Sequence, residues 1–110
     1  MDDDANSAWR LALRYGQLST PYSHFSIVAE GIVGTLSEGF SCPSGSAFMG
    51  MKAWASSSDE AIAMLRVIGE RVGFSVTGRT YVYDTEPSEP PRDDPRAYDI
   101  NFTPVDPEKG

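Results

Sequence analysis

Hydrophobic and polar residues alternate most regularly between residues 47 and 83, where the pattern predicts a strand, a helix and a second strand. After Ser57, apolar residues recur every three or four positions, which is the period of a helix with one buried face. Ser57 and Glu60 have the spacing of a capping box, and Gly73 is placed to end the helix in a left-handed conformation. The predicted apolar stripe consists of Ala61, Met64, Leu65, Ile68 and Val72.

Alternation at period two predicts strands at residues 25–33, 47–55, 75–83 and 98–103. Gly31 and Gly34 argue against a helix in the first of these segments. In the last segment, Tyr98, Ile100 and Phe102 are predicted to share one face. A short helix capped by Asn6 or Ser7 and ending at Gly16 precedes the strands. Its predicted apolar stripe consists of Ala8, Leu11, Ala12 and Tyr15, with Trp9 and Leu13 beside it.

The element order α-β-β-α-β-β predicts an α+β two-layer sandwich, in which one main helix covers a sheet of about four strands. Residues 1–110 suit a single domain, with residues 1–5 and 104–110 as flexible tails. The strands on either side of the main helix can form a right-handed parallel crossover. The predicted core consists of Phe25, Ile27, Met49, Met51, Ala61, Met64, Leu65, Ile68, Val72, Val76, Val82, Ile100 and Phe102.

A formal net charge of −7 changes the range of expected partners. Negative charge repels phosphate backbones and anionic lipids, so nucleic-acid binding and membrane attachment are disfavoured and a basic protein partner is favoured. The start of the chain is acidic where a signal peptide is basic, and no stretch has the apolar length of a membrane span. We therefore expect a cytoplasmic protein, as a monomer or a homodimer.

Candidate catalytic and metal-binding groups are few. Cys42 is the only cysteine and His24 the only histidine, so the chain can form no internal disulfide and offers no zinc-ligand set. A small enzyme that uses Cys42 with His24 as its base, or a pair of carboxylates, is one alternative function. Calcium held by Asp93, Asp94 and Asp99 is possible in principle, although no calcium-loop pattern is present. We predict no cofactor, no metal and no catalytic residue.

The segment from residue 84 to 99 contains six acids and four prolines between two predicted strands. Long connections of this kind are usually functional or disordered, and prolines reduce the entropy that binding must remove. The leading hypothesis is a non-enzymatic inhibitor or immunity-type protein that occludes a basic partner such as a toxin nuclease, as in bacterial toxin–antitoxin pairs. Two competing hypotheses are that the segment is an ordinary solvent loop and that the protein is a structural subunit that forms a homodimer. The candidate partner-binding residues are Asp84, Glu86, Glu89, Asp93, Asp94, Tyr98 and Asp99.

Overall fold

The computed structural model describes the backbone of residues 2–105 and the side chains of residues 8–105. Its elements are α1 (Asp2–Arg14), β1 (Ser23–Val33), β2 (Gly45–Ala55), α2 (Ser58–Val72), β3 (Phe74–Asp84) and β4 (Arg96–Pro104). The strands form one antiparallel sheet in the order β3-β1-β2-β4, and α2 packs on one face of it. The predicted α+β two-layer architecture and element order are therefore confirmed.

The predicted crossover through α2 joins two parallel strands that are not neighbours in the sheet, and its right-handed sense stays a prediction. β2 and β3 run in the same direction, because each is antiparallel to β1, but β1 lies between them and pairs with both. β1 and β2 are joined by residues 34–44 and pair along their whole length. This local hairpin pairing leaves β3 to join at the free edge of β1.

Both predicted caps of α2 are present. The Ser57 hydroxyl accepts a hydrogen bond from the Glu60 N–H at 3.1 Å, and Gly73 has a left-handed φ of 113°. The Glu60 carboxylate, however, accepts from the N–H and hydroxyl of Ser56, at 2.7 and 2.9 Å, and not from the N–H of Ser57. It therefore holds the residue that precedes the cap, and so fixes how the chain enters the helix.

The core lies between α2 and the adjacent face of the sheet. Most of the predicted core residues on β1, β2 and α2 are buried, whereas those on the edge strands β3 and β4 are half-buried. The buried residues of the predicted set are Phe25, Ile27, Met49, Met51, Ala61, Leu65 and Val72. The half-buried ones are Met64, Ile68, Val76, Val82, Ile100 and Phe102. The core also includes Ala29, Val33, Ala47, Ala53, Ala55 and Phe74, which were outside the predicted set.

A bulge in β4 separates two residues that were predicted to share a face. The strand register pairs Phe102 with Met49 and Tyr98 with Lys52, and these two β2 residues lie on opposite faces of the sheet. At this point one residue of β2 faces two of β4, and Asp99 adopts a left-handed φ of 52°. Such a bulge redirects the side chains that follow it. The prediction of one uninterrupted alternation along β4 is therefore wrong: Phe102 packs on the core and Tyr98 points to the far face.

α1 begins at Asp2, before the predicted cap at Asn6 or Ser7, so residues 2–5 of the predicted N-terminal tail are helical. At the other end of the chain, β4 runs to Pro104, and residues 106–110 of the predicted tail lie outside the described residues. No helix within residues 2–105 is both long enough and apolar enough to cross a membrane.

The side of α1 that meets the rest of the protein also differs from the predicted one. Leu11 and Tyr15, on the predicted apolar stripe, are 53% and 71% exposed. Trp9 and Leu13, one helical turn apart, are half-buried and border a hollow together with Trp54 of β2. The predicted stripe is therefore wrong, because the large Trp9 ring and its neighbour at i+4 provide the contact surface instead.

Candidate binding site on the acidic connector

The segment between β3 and β4, residues 85–95, is termed the acidic connector. It carries Glu86, Glu89, Asp93 and Asp94 and a single arginine. Its backbone folds back towards the face of the sheet opposite α2, which is termed the far face. There the Tyr98 hydroxyl accepts hydrogen bonds from the N–H groups of Ser88, at 3.0 Å, and Glu89, at 3.3 Å. The bulge described above makes these contacts possible, because it turns Tyr98 to this side.

Further side chains hold the connector by its carbonyl groups. The Trp54 indole N–H donates to the Glu89 carbonyl at 2.9 Å, and the Tyr22 hydroxyl donates to the Asp93 carbonyl at 2.9 Å. Arg96 donates to the Pro90 carbonyl at 3.0 Å and to the Glu89 carboxylate at 2.6 Å. The Arg96 guanidinium also lies 5.3 Å from the centre of the Tyr98 ring, within reach of a cation–π interaction. The connector is thus fixed along its length.

His24 of β1 lies beneath the connector and is only 7% exposed. Its Nε2 is 2.5 Å from the Tyr98 hydroxyl, and its Nδ1 is 3.0 Å from the Thr85 carbonyl. Since a carbonyl can only accept, Nδ1 carries the hydrogen, and since the two N–H groups on the Tyr98 oxygen can only donate, the hydroxyl hydrogen points to Nε2. The imidazole is therefore neutral in this arrangement, with one nitrogen donating and the other accepting.

Burial lowers the pKa of His24 below its ordinary value of 6.5. The positive charge of Lys52 acts in the same direction, while the Thr85 carbonyl and the Glu86 carboxylate oppose it. Removing an ionisable group from water disfavours its charged form, so the fold favours neutral imidazole. The pKa direction agrees with the hydrogen-bond pattern around the ring.

Lys52 connects the far face to the connector. Its ammonium group forms an ion pair with Asp99 at 3.2 Å and lies 3.4 Å from the Ser88 hydroxyl. Beside it, an open hollow of about 430 Å³ lies over Gly50, bordered also by Ser26, Val28 and Asn101. Asp99 is the only acid on its border, so the hollow offers no pair of carboxylates for acid–base chemistry.

The seven candidate binding residues fall into three groups in the structure. Tyr98 is buried beneath the connector, at 6% exposure. Glu89 and Asp99 form ion pairs with Arg96 and Lys52. The remaining four are exposed and form no ion pair with any residue that the structure describes: Asp84, Glu86, Asp93 and Asp94.

Trp54 and Tyr98, the two aromatic residues that bind the connector, are both buried and hold it from inside. Tyr83 of β3 is 54% exposed and pairs with Ser26, which places it on the far face. It is the exposed tyrosine nearest in sequence to the connector. Sequence reasoning also missed His24, Tyr22 and Arg96 as supports, because their partners are distant in sequence or are backbone atoms that carry no sequence signal.

The proposed catalytic pair of Cys42 and His24 is not assembled. Both ring nitrogens of His24 contact Thr85 and Tyr98, whereas Cys42 is half-buried and packs against the core. The side chains considered for calcium are also not gathered: within the described part of the chain, no group of three or more His, Cys, Asp or Glu is placed to hold a metal ion.

The fold and the site together define an α+β two-layer protein that presents an acidic segment held from beneath by aromatic and polar side chains. Comparison of the chain with protein families, with curated proteins and with solved structures finds no match in any of the three. The functional argument therefore depends on the geometry and charge of the described residues.

Proposed function

We propose that this protein binds a basic protein through the acidic connector, as an inhibitor or immunity-type protein that occludes a cationic cleft such as that of a toxin nuclease. The observation that supports this most directly is that one part of the connector is bound to the sheet while another part is exposed to solvent. Its backbone and Glu89 are bound by Tyr98, Trp54 and Arg96, while other carboxylates point outward. A segment that is already ordered loses little conformational entropy when a partner binds it.

Charge supports the same partner class. The protein carries a net charge of −7, and the four unpaired acids lie within or next to the connector. Enzymes that act on nucleic acid need cationic clefts to hold phosphates, and an acidic domain is steered towards such a cleft. Steering sets the association rate, whereas affinity also needs a desolvated contact. The exposed Tyr83 ring on the far face provides apolar area with a polar tip for that contact.

Reversal of three connector charges tests the proposal. The variant with Glu86→Lys, Asp93→Lys and Asp94→Lys is expected to associate with the basic partner about tenfold more slowly, or worse, at low salt. Its association rate should also depend less on salt concentration, since the steering field has been removed. The partner is first isolated from the native host with the unmodified protein as bait, and the rates are then measured by stopped flow.

A matched pair of single variants distinguishes the effect of charge in the connector from the effect of net charge on the association rate. Glu86→Lys and Glu70→Lys change the net charge equally, but Glu70 lies on the exposed surface of α2. Slower association is expected only for Glu86→Lys. Equal slowing of both would mean that net charge, and not the connector, governs association. An unchanged rate in the triple variant would remove the connector from the interaction, and a captured partner without a basic surface would contradict the proposal.

A further inference from the structure

The hydrogen bonds around Tyr98 depend on His24 being neutral. The Tyr98 oxygen has one hydrogen to donate and two lone pairs, and the N–H groups of Ser88 and Glu89 use both lone pairs. The hydrogen therefore goes to His24 Nε2, at 2.5 Å. Every donor and acceptor in this group has a partner, and the His24 and Tyr98 side chains are both buried.

A proton on Nε2 breaks this arrangement. The nitrogen then becomes a donor, so the Tyr98 oxygen faces three donors, and its own hydrogen can turn only to the Ser88 hydroxyl, at 3.5 Å. Because the oxygen has two lone pairs for three donors, at least one of these donors is left unsatisfied in a partly buried position, which is unfavourable. The group that gives way most readily is the connector backbone at Ser88 and Glu89, because both of its N–H groups are held by this single oxygen, whereas His24 and Tyr98 lie in paired strands. Trp54 and Arg96 hold the neighbouring carbonyls and the Glu89 carboxylate, not these N–H groups.

We propose that His24 and Tyr98 form an acid-sensitive latch, in which neutral His24 keeps the acidic connector against the far face and protonation of His24 releases it. Release of the latch affects the middle of the connector and not its ends. The connector keeps its chain ends in β3 and β4, but its carboxylates lose the fixed positions that the hydrogen bonds give them. The inference deepens the proposed function, on which its consequence for binding rests, but the latch itself is a property of the protein alone.

Charged and titratable groups face His24 from several elements. β2 contributes Lys52, the connector contributes Glu86, and β4 contributes Tyr98 with Arg96 above its ring. The last residues of β3 pair with the part of β1 that contains His24. Residues of α1 border a hollow together with Trp54 and Glu86. The side chains that these two elements bring near are Tyr83, Asp84, Arg10 and Arg14.

The sign of the pH effect follows from the lowered pKa of His24. The unfolded or released state takes up a proton near pH 6.5, before the latched state does. The latch is therefore fully effective above 6.5 and is lost as the pH falls through the lower pKa of the latched form. The transition begins as the pH falls below about 6.5, and a variant without an imidazole separates it from the titration of free carboxylates near pH 4.

Trp54 gives a direct readout, because its indole donates to the connector and becomes accessible when the connector leaves. The chain has two tryptophans, so Trp9→Phe leaves Trp54 as the only one. In this background, quenching of Trp54 fluorescence by acrylamide should rise by about twofold or more as the pH is lowered from about 8 through the titration of His24. The single histidine gives one imidazole signal by NMR, and its titration should have the same midpoint as the quenching.

Two variants complete the test. Tyr98→Phe removes the hydroxyl and should make Trp54 accessible already at neutral pH, with little further change on acidification. His24→Gln offers an amide oxygen to Tyr98 but does not titrate, so it should abolish the response to acid.

The proposal is overturned if Trp54 stays protected while the imidazole titrates, or if the two midpoints differ. It is also overturned if the response persists in His24→Gln. If that variant does not fold, the comparison of midpoints in the Trp9→Phe protein decides alone. A functioning latch with no binding to any basic protein would instead contradict only the proposed function.

Discussion

Replacement of Leu65 by alanine is expected to lower the free energy of unfolding by about 2–5 kcal/mol. Leu65 is completely buried in the middle of α2 and belongs to the main hydrophobic cluster. Truncation removes its transfer free energy and leaves a cavity between the helix and the sheet, which both layers can close only partly. Urea unfolding followed by far-UV circular dichroism measures the change.

Val67→Ala is the matched control for this variant. Val67 lies on the same helix but is 66% exposed, so its truncation should change the free energy of unfolding by no more than about 0.5 kcal/mol. Ile68, on the same predicted stripe as Leu65, is only half-buried, and an intermediate loss is expected there. Similar losses at Leu65 and Val67 would mean that α2 does not pack on the sheet with the described face.

Replacement of Gly31 by alanine is expected to destabilise the protein by about 3 kcal/mol or more, at or above the upper end of the usual cost of overpacking. A Cβ atom at this position would overlap the Ser75 carbonyl oxygen and would lie 2.5 Å from the tip of the Phe74 ring. The first of these atoms is backbone in a paired strand and cannot rotate away. Accommodation requires β1 and β3 to separate, which also disturbs the packing of Phe74.

Gly34→Ala provides the control because it adds the same methyl group one residue beyond β1. There the nearest atom to the added Cβ is the Gly73 oxygen at 3.6 Å, an ordinary van der Waals contact. The expected change is within about 0.5 kcal/mol of zero. Thermal and urea unfolding of both variants make the comparison, and equal stabilities would contradict the described approach of β3 to β1.

The sequence by itself predicted the elements with strong local signals. Ser57 and Gly73 mark the ends of α2, and the stripe through Ala61 and Leu65 identifies its buried face, because caps and helical periodicity act within a few residues. The strands followed from alternation in the same way. α1 was less predictable, since its contacts depend on where Trp54 lies and not on its own periodicity.

Fewer features of the candidate site were predictable. The sequence identified the acids of the connector and their charge, but not which of them are paired. Glu89 is neutralised by Arg96 because the connector folds back over the sheet, and Asp99 is neutralised by Lys52 because β4 pairs with β2. His24 had no signal beyond being the only histidine, because its partner Tyr98 lies 74 residues away in the chain.

Composition and local periodicity therefore determined the net charge, the positions of helices and strands, and the two-layer class of this protein. The tertiary structure decided the strand order and the direction of Tyr98. The physical reason is that both depend on pairing between distant segments. A single bulge at Asp99 turns one face of β4 into the other, and nothing in the alternation of Tyr98, Ile100 and Phe102 reveals it.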